Sequence, residues 1–185
     1  TAEHLGKAAK DQARYMFKYS QLITQVCKSN PQVLSGSALT NFGQAASCPF
    51  NSGLGYMEEA IDIMTKECKQ ARKAKVGVLP KDAPKIGFYF VPFAVPWIDT
   101  LFKENGVGTT FSLTFTPAKS QLKPPRFEDP YMALAEQWLK MPFGQNMGYE
   151  FANMVDKVET NKPFDGLLVG FFDFDRWLGA HHKMA

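Results

Sequence analysis

The stretch KIGFYFVPFAVPWIDTLFKENGVGTTFSLTF, residues 85–115, decides the fold class. It holds two short runs of β-branched and aromatic residues, at 85–93 and 107–115, on either side of a segment with helical character. The first run is bounded by prolines, which is typical of a short buried strand. A proline at position 96 suits the first turn of a helix, and Gly106 suits its C-terminal cap. The stretch therefore predicts strand, helix, strand, the unit that joins two parallel strands.

The segments that follow extend this alternation. Two helices are predicted at 130–141 and 148–161, and a third strand at 165–172. The residues after this strand, 174–184, begin a further helix or loop. This order predicts an α/β fold in which parallel strands are joined by right-handed helical crossovers.

The first part of the chain has a helical pattern. Helices are predicted at 2–29 and 54–75, and Ser-Gly-Ser at 35–37 is suited to cap a short helix between them. We interpret 1–83 as a helical packing segment and 84–185 as an α/β lobe, together one structural domain. Because only three strands are visible and the third lies close to the end, we expect the lobe to be incomplete at its C-terminus.

Composition narrows the classes of function. The net charge of +3 is too small to indicate a nucleic-acid partner. No signal peptide opens the sequence and no apolar run approaches membrane-spanning length, so we expect a soluble cytoplasmic protein without a membrane partner. Cys27, Cys48 and Cys68 are widely spaced and form no CxxC motif, which favours buried reduced thiols over a disulfide framework or a self-contained metal site.

Three loops are expected to meet at the carboxyl edge of the predicted sheet, where open parallel sheets bind ligands. Polar and aromatic residues in or beside these loops are candidate ligand contacts: Trp97, Thr114, Thr116, Lys119, Ser120, Asp173, Asp175 and Arg176. Lys119, Lys123 and Arg126 are suited to phosphate groups, and the alternative for each is a solvated loop residue.

The acids and histidines near the end of the sequence raise the question of a metal site. Asp173 and Asp175 share a side only if their segment is extended; otherwise one caps a helix and the other pairs with Arg176, which we favour. His181 and His182 are adjacent and point about 100° apart on a helix, so they cannot easily bind one ion. We therefore predict no metal site in this segment.

From residue 84 onward the sequence resembles the D-component subunits of 2-hydroxyacyl-CoA dehydratases and the related benzoyl-CoA reductase subunits. The segments that carry the resemblance are PKIGFYFVPFAVPWIDTLFKENG at 84–106, FEDPYMALAEQWLKM at 127–141 and NKPFDGLLVGFF at 161–172. Upstream, LSGSAL at 34–39 is similar to the segment that links the two lobes of the family.

The resemblance implies a flavodoxin-like parallel sheet with helices on both faces, of which this chain would be the second lobe. It also implies a sister subunit, a four-iron four-sulfur cluster held by cysteines and an ATP-dependent iron–sulfur activator. The activity implied is removal of water from a 2-hydroxyacyl-CoA through a ketyl radical, or reduction of an aromatic ring. On this interpretation Phe93, Trp97, Lys119, Asp175 and Arg176 are the candidate contacts with an acyl-CoA thioester.

The sequence departs from the family at the cluster. The positions that carry cluster cysteines in the family align with Met141 and Asp175, and none of the three cysteines of this chain falls there. Thiolates are the usual cluster ligands. We therefore expect no cluster on this chain alone. The alternative function is a structural partner subunit with a vestigial site, and a flavin-binding redox domain is disfavoured because no phosphate-binding glycine loop is present.

Overall fold

The computed structural model describes residues 1–47, 54–89, 96–112, 116–140, 147–162 and 164–169. Its elements, in chain order, are α1 (Ala2–Cys27), α2 (Gly36–Ser47), α3 (Gly55–Ala74), β1 (Lys85–Tyr89), α4 (Pro96–Glu104), β2 (Gly108–Ser112), a 3-10 helix (Lys119–Leu122), α5 (Pro130–Lys140), α6 (Met147–Thr160) and β3 (Gly166–Val169).

The strands form a parallel sheet in the order β2-β1-β3. Ile86 of β1 lies opposite Thr109 of β2 on one side and Gly166 of β3 on the other. The sheet is flanked by helices and preceded by a helical segment, which confirms the predicted α/β class. A central first strand between the second and the third is the order of flavodoxin-like folds.

The predicted start and stop signals of the helices are confirmed at two places. The Ser35 hydroxyl accepts a hydrogen bond from the backbone N–H of Ala38 at 3.3 Å and so caps α2. After α4 the chain reverses at Gly106, whose φ of 71° is a backbone conformation that glycine adopts without strain.

One hydrophobic core joins the helical segment to the sheet. Phe111 of β2 is fully buried in a cluster with side chains of α1 and α3, including Tyr15, Ile23 and Ile61. The Phe111 ring also meets the ring of Phe164 edge-on, with 5.2 Å between ring centroids. This aromatic contact connects β2 to the residues that lead into β3.

Lys85, at the start of β1, connects the sheet to the end of α1. Its ammonium donates to the backbone carbonyl of Cys27 at 3.2 Å and to that of Ser29. A cation at this position satisfies carbonyls that a helix leaves without partners and suits the negative end of the helix dipole. Burial lowers the pKa of Lys85.

None of the described helices combines the length and apolar character needed to cross a bilayer.

Two buried tyrosines of α1 provide a matched test of the core. The Tyr15 hydroxyl donates to the carbonyl oxygen of Phe42 at 2.8 Å, whereas no described group bonds the Tyr19 hydroxyl. We expect Tyr15→Phe to lower the free energy of unfolding by about 1 kcal/mol, and Tyr19→Phe to leave it unchanged or raise it. Urea unfolding of both variants measures the difference. A larger loss for Tyr19→Phe than for Tyr15→Phe would contradict the bonding pattern.

Candidate functional site

The carboxyl ends of the three strands are aligned at one edge of the sheet. Phe88 of β1 lies opposite Ser112, the last residue of β2, and Tyr89 lies opposite Val169, the last residue of β3. The chain passes from β1 to β2 on one side and later returns to β3 on the other side of β1, so the direction of winding reverses between β1 and β3. Ligands of doubly wound folds bind beyond the carboxyl ends at such a switch point.

Several of the predicted contacts lie in segments outside the described residues. Phe93 follows β1, Asp175 and Arg176 follow β3, and Met141 follows α5. Thr114, Asp173, His181 and His182 also lie outside the described residues. The described part of the predicted site consists of Trp97, Thr116, Lys119 and the residues around them.

Trp97 is the second residue of α4, and its side chain is 64% exposed. A helix that connects two parallel strands begins on the side of the sheet where the first strand ends. Trp97 therefore belongs to the carboxyl edge and offers a flat apolar surface there. Its exposure leaves the ring available for contact with another molecule.

Lys119 pairs with Asp156 of α6. The Lys119 ammonium lies 2.9 Å from one carboxylate oxygen of Asp156, and the Lys119 backbone N–H donates to the other at 2.9 Å. Burial by itself raises the pKa of the Asp156 carboxyl, but the two contacts from Lys119 outweigh it and hold this pKa below its usual value. The pair fastens the 3-10 helix to α6 and offsets part of the positive charge that Lys119 brings to the edge.

Two buried hydroxyls mark the point where β2 ends. Ser112 and Thr116 are 1% and 2% exposed, and neither side-chain hydroxyl has a hydrogen-bond partner within the described part of the chain. The Thr116 backbone N–H donates to the Ser112 carbonyl at 2.8 Å, so the two residues lie close together. Buried polar groups are nearly always bonded, so unbonded ones indicate a place where a ligand or water is accommodated. Each hydroxyl can donate one hydrogen bond and accept two.

Sequence reasoning identified Thr116 at this edge but missed Ser112 and Asp156. Ser112 lies inside the predicted strand at 107–115, where a small polar residue gives no signal of its own. Asp156 is 37 residues from Lys119 in the chain, and its spacing within α6 is that of an ordinary surface residue. Lys119 and Asp156 meet only because α6 lies beside the 3-10 helix.

The described cysteines do not fit the iron–sulfur cluster that the resemblance implies. Cys27 and Cys68 are buried in the helical core, and burial raises the pKa of both thiols, to about 12 for Cys27. A cluster needs thiolates, and a thiol with such a pKa keeps its proton. Among the described residues, no three His, Cys, Asp or Glu side chains form a group that could hold a metal ion.

The raised pKa of Cys27 has a measurable consequence for stability. The folded thiol titrates near pH 12 and the unfolded one near pH 9, so between these values unfolding releases a proton. We expect the contribution of Cys27 to stability to be complete below pH 9 and to fall as the pH rises toward 12. Urea unfolding across this range measures it, with Cys27→Ala as the reference. An identical pH dependence for the two proteins would contradict the burial of this thiol.

Comparison with models of known protein families gives no match, and no curated protein is significantly similar to this sequence.

Proposed function

We propose that this chain is a substrate-binding lobe that holds an acyl-CoA thioester at the carboxyl edge of its sheet. The observation that carries the proposal is the pair of buried hydroxyls of Ser112 and Thr116 at the end of β2, for which the described residues provide no hydrogen-bond partner. The strand order supports the same edge, because the switch point between β1 and β3 opens at the carboxyl ends of the strands. The resemblance to acyl-CoA dehydratase and reductase subunits supplies the class of ligand.

The chemistry of a thioester suits these groups. Its carbonyl oxygen accepts hydrogen bonds, and a buried hydroxyl that lacks another partner donates one without first giving up a bond to the protein. The exposed ring of Trp97 is suited to stack against the adenine or pack against the pantetheine chain. Lys119 can approach phosphate groups, although Asp156 competes for its charge. In this proposal Phe93, Asp175 and Arg176 remain predicted contacts of the thioester.

The proposal assigns binding and orientation of the thioester to this chain, and no electron-transfer step. The reason is that the described cysteines are buried thiols and do not fit a cluster. Radical dehydration or ring reduction would then require a cluster-bearing sister subunit and its ATP-dependent activator as partners. We place this heteromer in the cytoplasm.

Removal of one hydroxyl tests the proposal. We expect Thr116→Val to weaken binding of acetyl-CoA or benzoyl-CoA by about five- to tenfold, the effect of losing one hydrogen bond. Because the Thr116 hydroxyl has no partner among the described residues, the variant should unfold at the same urea concentration as the parent or at a higher one. Isothermal titration of the full chain, purified with any subunit that accompanies it, measures the affinity.

Thr40→Val is the matched control. Thr40 is also buried, but its hydroxyl donates to the carbonyl of Gly36 at 2.8 Å within α2, so this variant should lose stability and keep its affinity. Absence of acyl-CoA binding by the parent assembly would overturn the proposal. Equal affinity of the parent and Thr116→Val would remove the observation that carries it.

A structural subunit with a vestigial site is the second candidate, and the surface of α4 favours it. Trp97 and Leu101 lie one turn apart on α4 and are 64% and 51% exposed, which suits contact with a partner chain. Replacing Asp175 and Arg176 with alanine separates the two functions. Unchanged turnover of the assembly would support the structural role, and a large loss would support the binding role.

A further inference from the structure

A cavity of about 160 Å³ lies at the other end of β2 from the proposed thioester site. It lies between the amino-terminal end of β2, one side of α4 and the loops that lead into α2 and β1. Val78, Leu79 and Val107 form its apolar surface, and the other lining residues are polar or charged. The polar residues are Gln32, Ser35, Asp99, Lys103 and Thr109.

Gln32 lines this cavity and holds a buried acceptor beside it. The residue is 1% exposed, and its Nε2 donates to the backbone carbonyls of Leu34 at 2.7 Å and Thr109 at 2.6 Å. Two carbonyl partners fix which end of the amide is the nitrogen, because an oxygen in that place would face two other oxygens. The Gln32 Oε1 therefore has a defined position, packed against Gly108, and has no described partner.

Asp99 brings a carboxylate that is already held in place. Its Oδ1 accepts from the Thr109 hydroxyl at 3.2 Å, and this hydroxyl in turn accepts from the backbone N–H of Gly36 at 3.1 Å. The chain of contacts connects α4, β2 and the start of α2. One carboxylate oxygen of Asp99 is thereby fixed, and the other can accept from a ligand.

Positive charge is provided by two elements on the same cavity. Lys103 lies one helical turn after Asp99 on α4 and has an exposed ammonium-bearing side chain. Ser35 caps α2, so the positive end of the α2 dipole faces this region. The cavity thus combines a carboxylate with a cation and a helix amino terminus.

We infer that this cavity binds a small zwitterion, a free amino acid with a short side chain. The ligand ammonium would be received by the Asp99 carboxylate, and the ligand carboxylate by Lys103 beside the start of α2. The size is appropriate, because an engineered protein cavity of about 150 Å³ accommodates benzene. A zwitterion brings a positive charge to Asp99 and a negative charge to Lys103, so each side chain faces an opposite charge.

Three probes of nearly equal size test the inference: L-alanine, propionate and ethylamine, which share a carbon skeleton and differ in charge. Shifts of the Thr109 and Gly108 amide signals in NMR spectra of the full chain report binding. We expect alanine to bind, and propionate and ethylamine to bind at least about tenfold more weakly, the effect of losing a charged hydrogen bond. Propionate binding as tightly as alanine, or no shift with any probe, would overturn the inference.

Variants of Asp99 and Lys103 test whether their charges bind the ligand. Asp99→Asn keeps an acceptor for Thr109 but loses the negative charge, and Lys103→Met keeps the length of the side chain but loses the positive charge. We expect each to weaken alanine binding at least about tenfold. Lys66→Met, on the exposed face of α3, should leave it unchanged. Unaltered affinity in both cavity variants would contradict the inference, and their unfolding curves show whether the fold is retained. The result does not depend on acyl-CoA binding at the opposite edge.

Discussion

Replacing Phe111 with alanine should lower the free energy of unfolding by about 3–5 kcal/mol. The side chain is fully buried in the core that joins the helical segment to the sheet. Its loss removes the apolar surface that the ring buries, leaves a cavity that the neighbouring strands cannot fill, and ends the edge-on contact with Phe164. Guanidinium unfolding followed by far-ultraviolet circular dichroism measures the change.

Phe17→Ala is the control for this substitution. Phe17 is a half-exposed side chain on α1, 50% accessible to solvent, and alanine is the better helix former. We expect its free energy of unfolding to stay within about 0.5 kcal/mol of the parent. Equal losses in Phe111→Ala and Phe17→Ala would mean that the helical segment and the sheet do not share a core.

The second large effect is expected at Gly36, the first residue of α2. A Cβ at this position would lie 2.7 Å from the Cβ of Thr109 and 2.8 Å from its carbonyl carbon, so β2 leaves no room for it. Alanine would push α2 away from β2 and lengthen the hydrogen bond from the Gly36 N–H to the Thr109 hydroxyl. We expect a loss of stability at the upper end of about 1–3 kcal/mol.

Gly55, the first residue of α3, supplies the matched comparison. A Cβ there meets no described atom within 4 Å, so alanine only restricts the unfolded chain. Gly55→Ala should therefore stabilise the protein by about 0.4–1 kcal/mol. Chemical unfolding of the two glycine variants gives opposite signs if α2 packs directly on β2. A neutral Gly36→Ala would contradict that packing.

The elements of this fold could be predicted because their signals are local. The apolar spacing of α1, the Ser35 cap of α2 and the positive-φ glycine after α4 each lie within a few residues of the structure they determine. The short apolar runs at β1 and β2 are of the same kind. Parallel pairing also followed, because strands that alternate with helices have few other arrangements.

The contacts that hold the elements together could not be predicted in the same way. The ammonium of Lys85 bonds carbonyls at the end of α1 that are 56 and 58 residues away, and no pattern near Lys85 indicates this. The Gln32 amide bonds Thr109 across 77 residues. Such pairs arise only when α1 and α2 are packed on the sheet, and each has many equally plausible competitors in the sequence.

In the candidate site, too, some features could be predicted from the sequence and others could not. The edge of the sheet could be predicted, because parallel strands end on one side and ligands bind there. Which polar groups at this edge are buried without a described partner could not be predicted, because burial depends on packing between segments that are far apart in the chain. Thr116 was identified from its place after a strand. Ser112 is recognisable only by its 1% exposure together with its unbonded hydroxyl.

NMR mapping of acetyl-CoA binding tests the central claim most directly. Amide signals of the full chain are compared with and without the ligand. We expect the shifts to concentrate at the carboxyl edge, at Ser112, Thr116 and Lys119, and to leave Lys85 and Gly166, at the starts of β1 and β3, unchanged. Shifts concentrated at the amino ends of the strands, or none at all, would contradict a thioester site at the carboxyl edge.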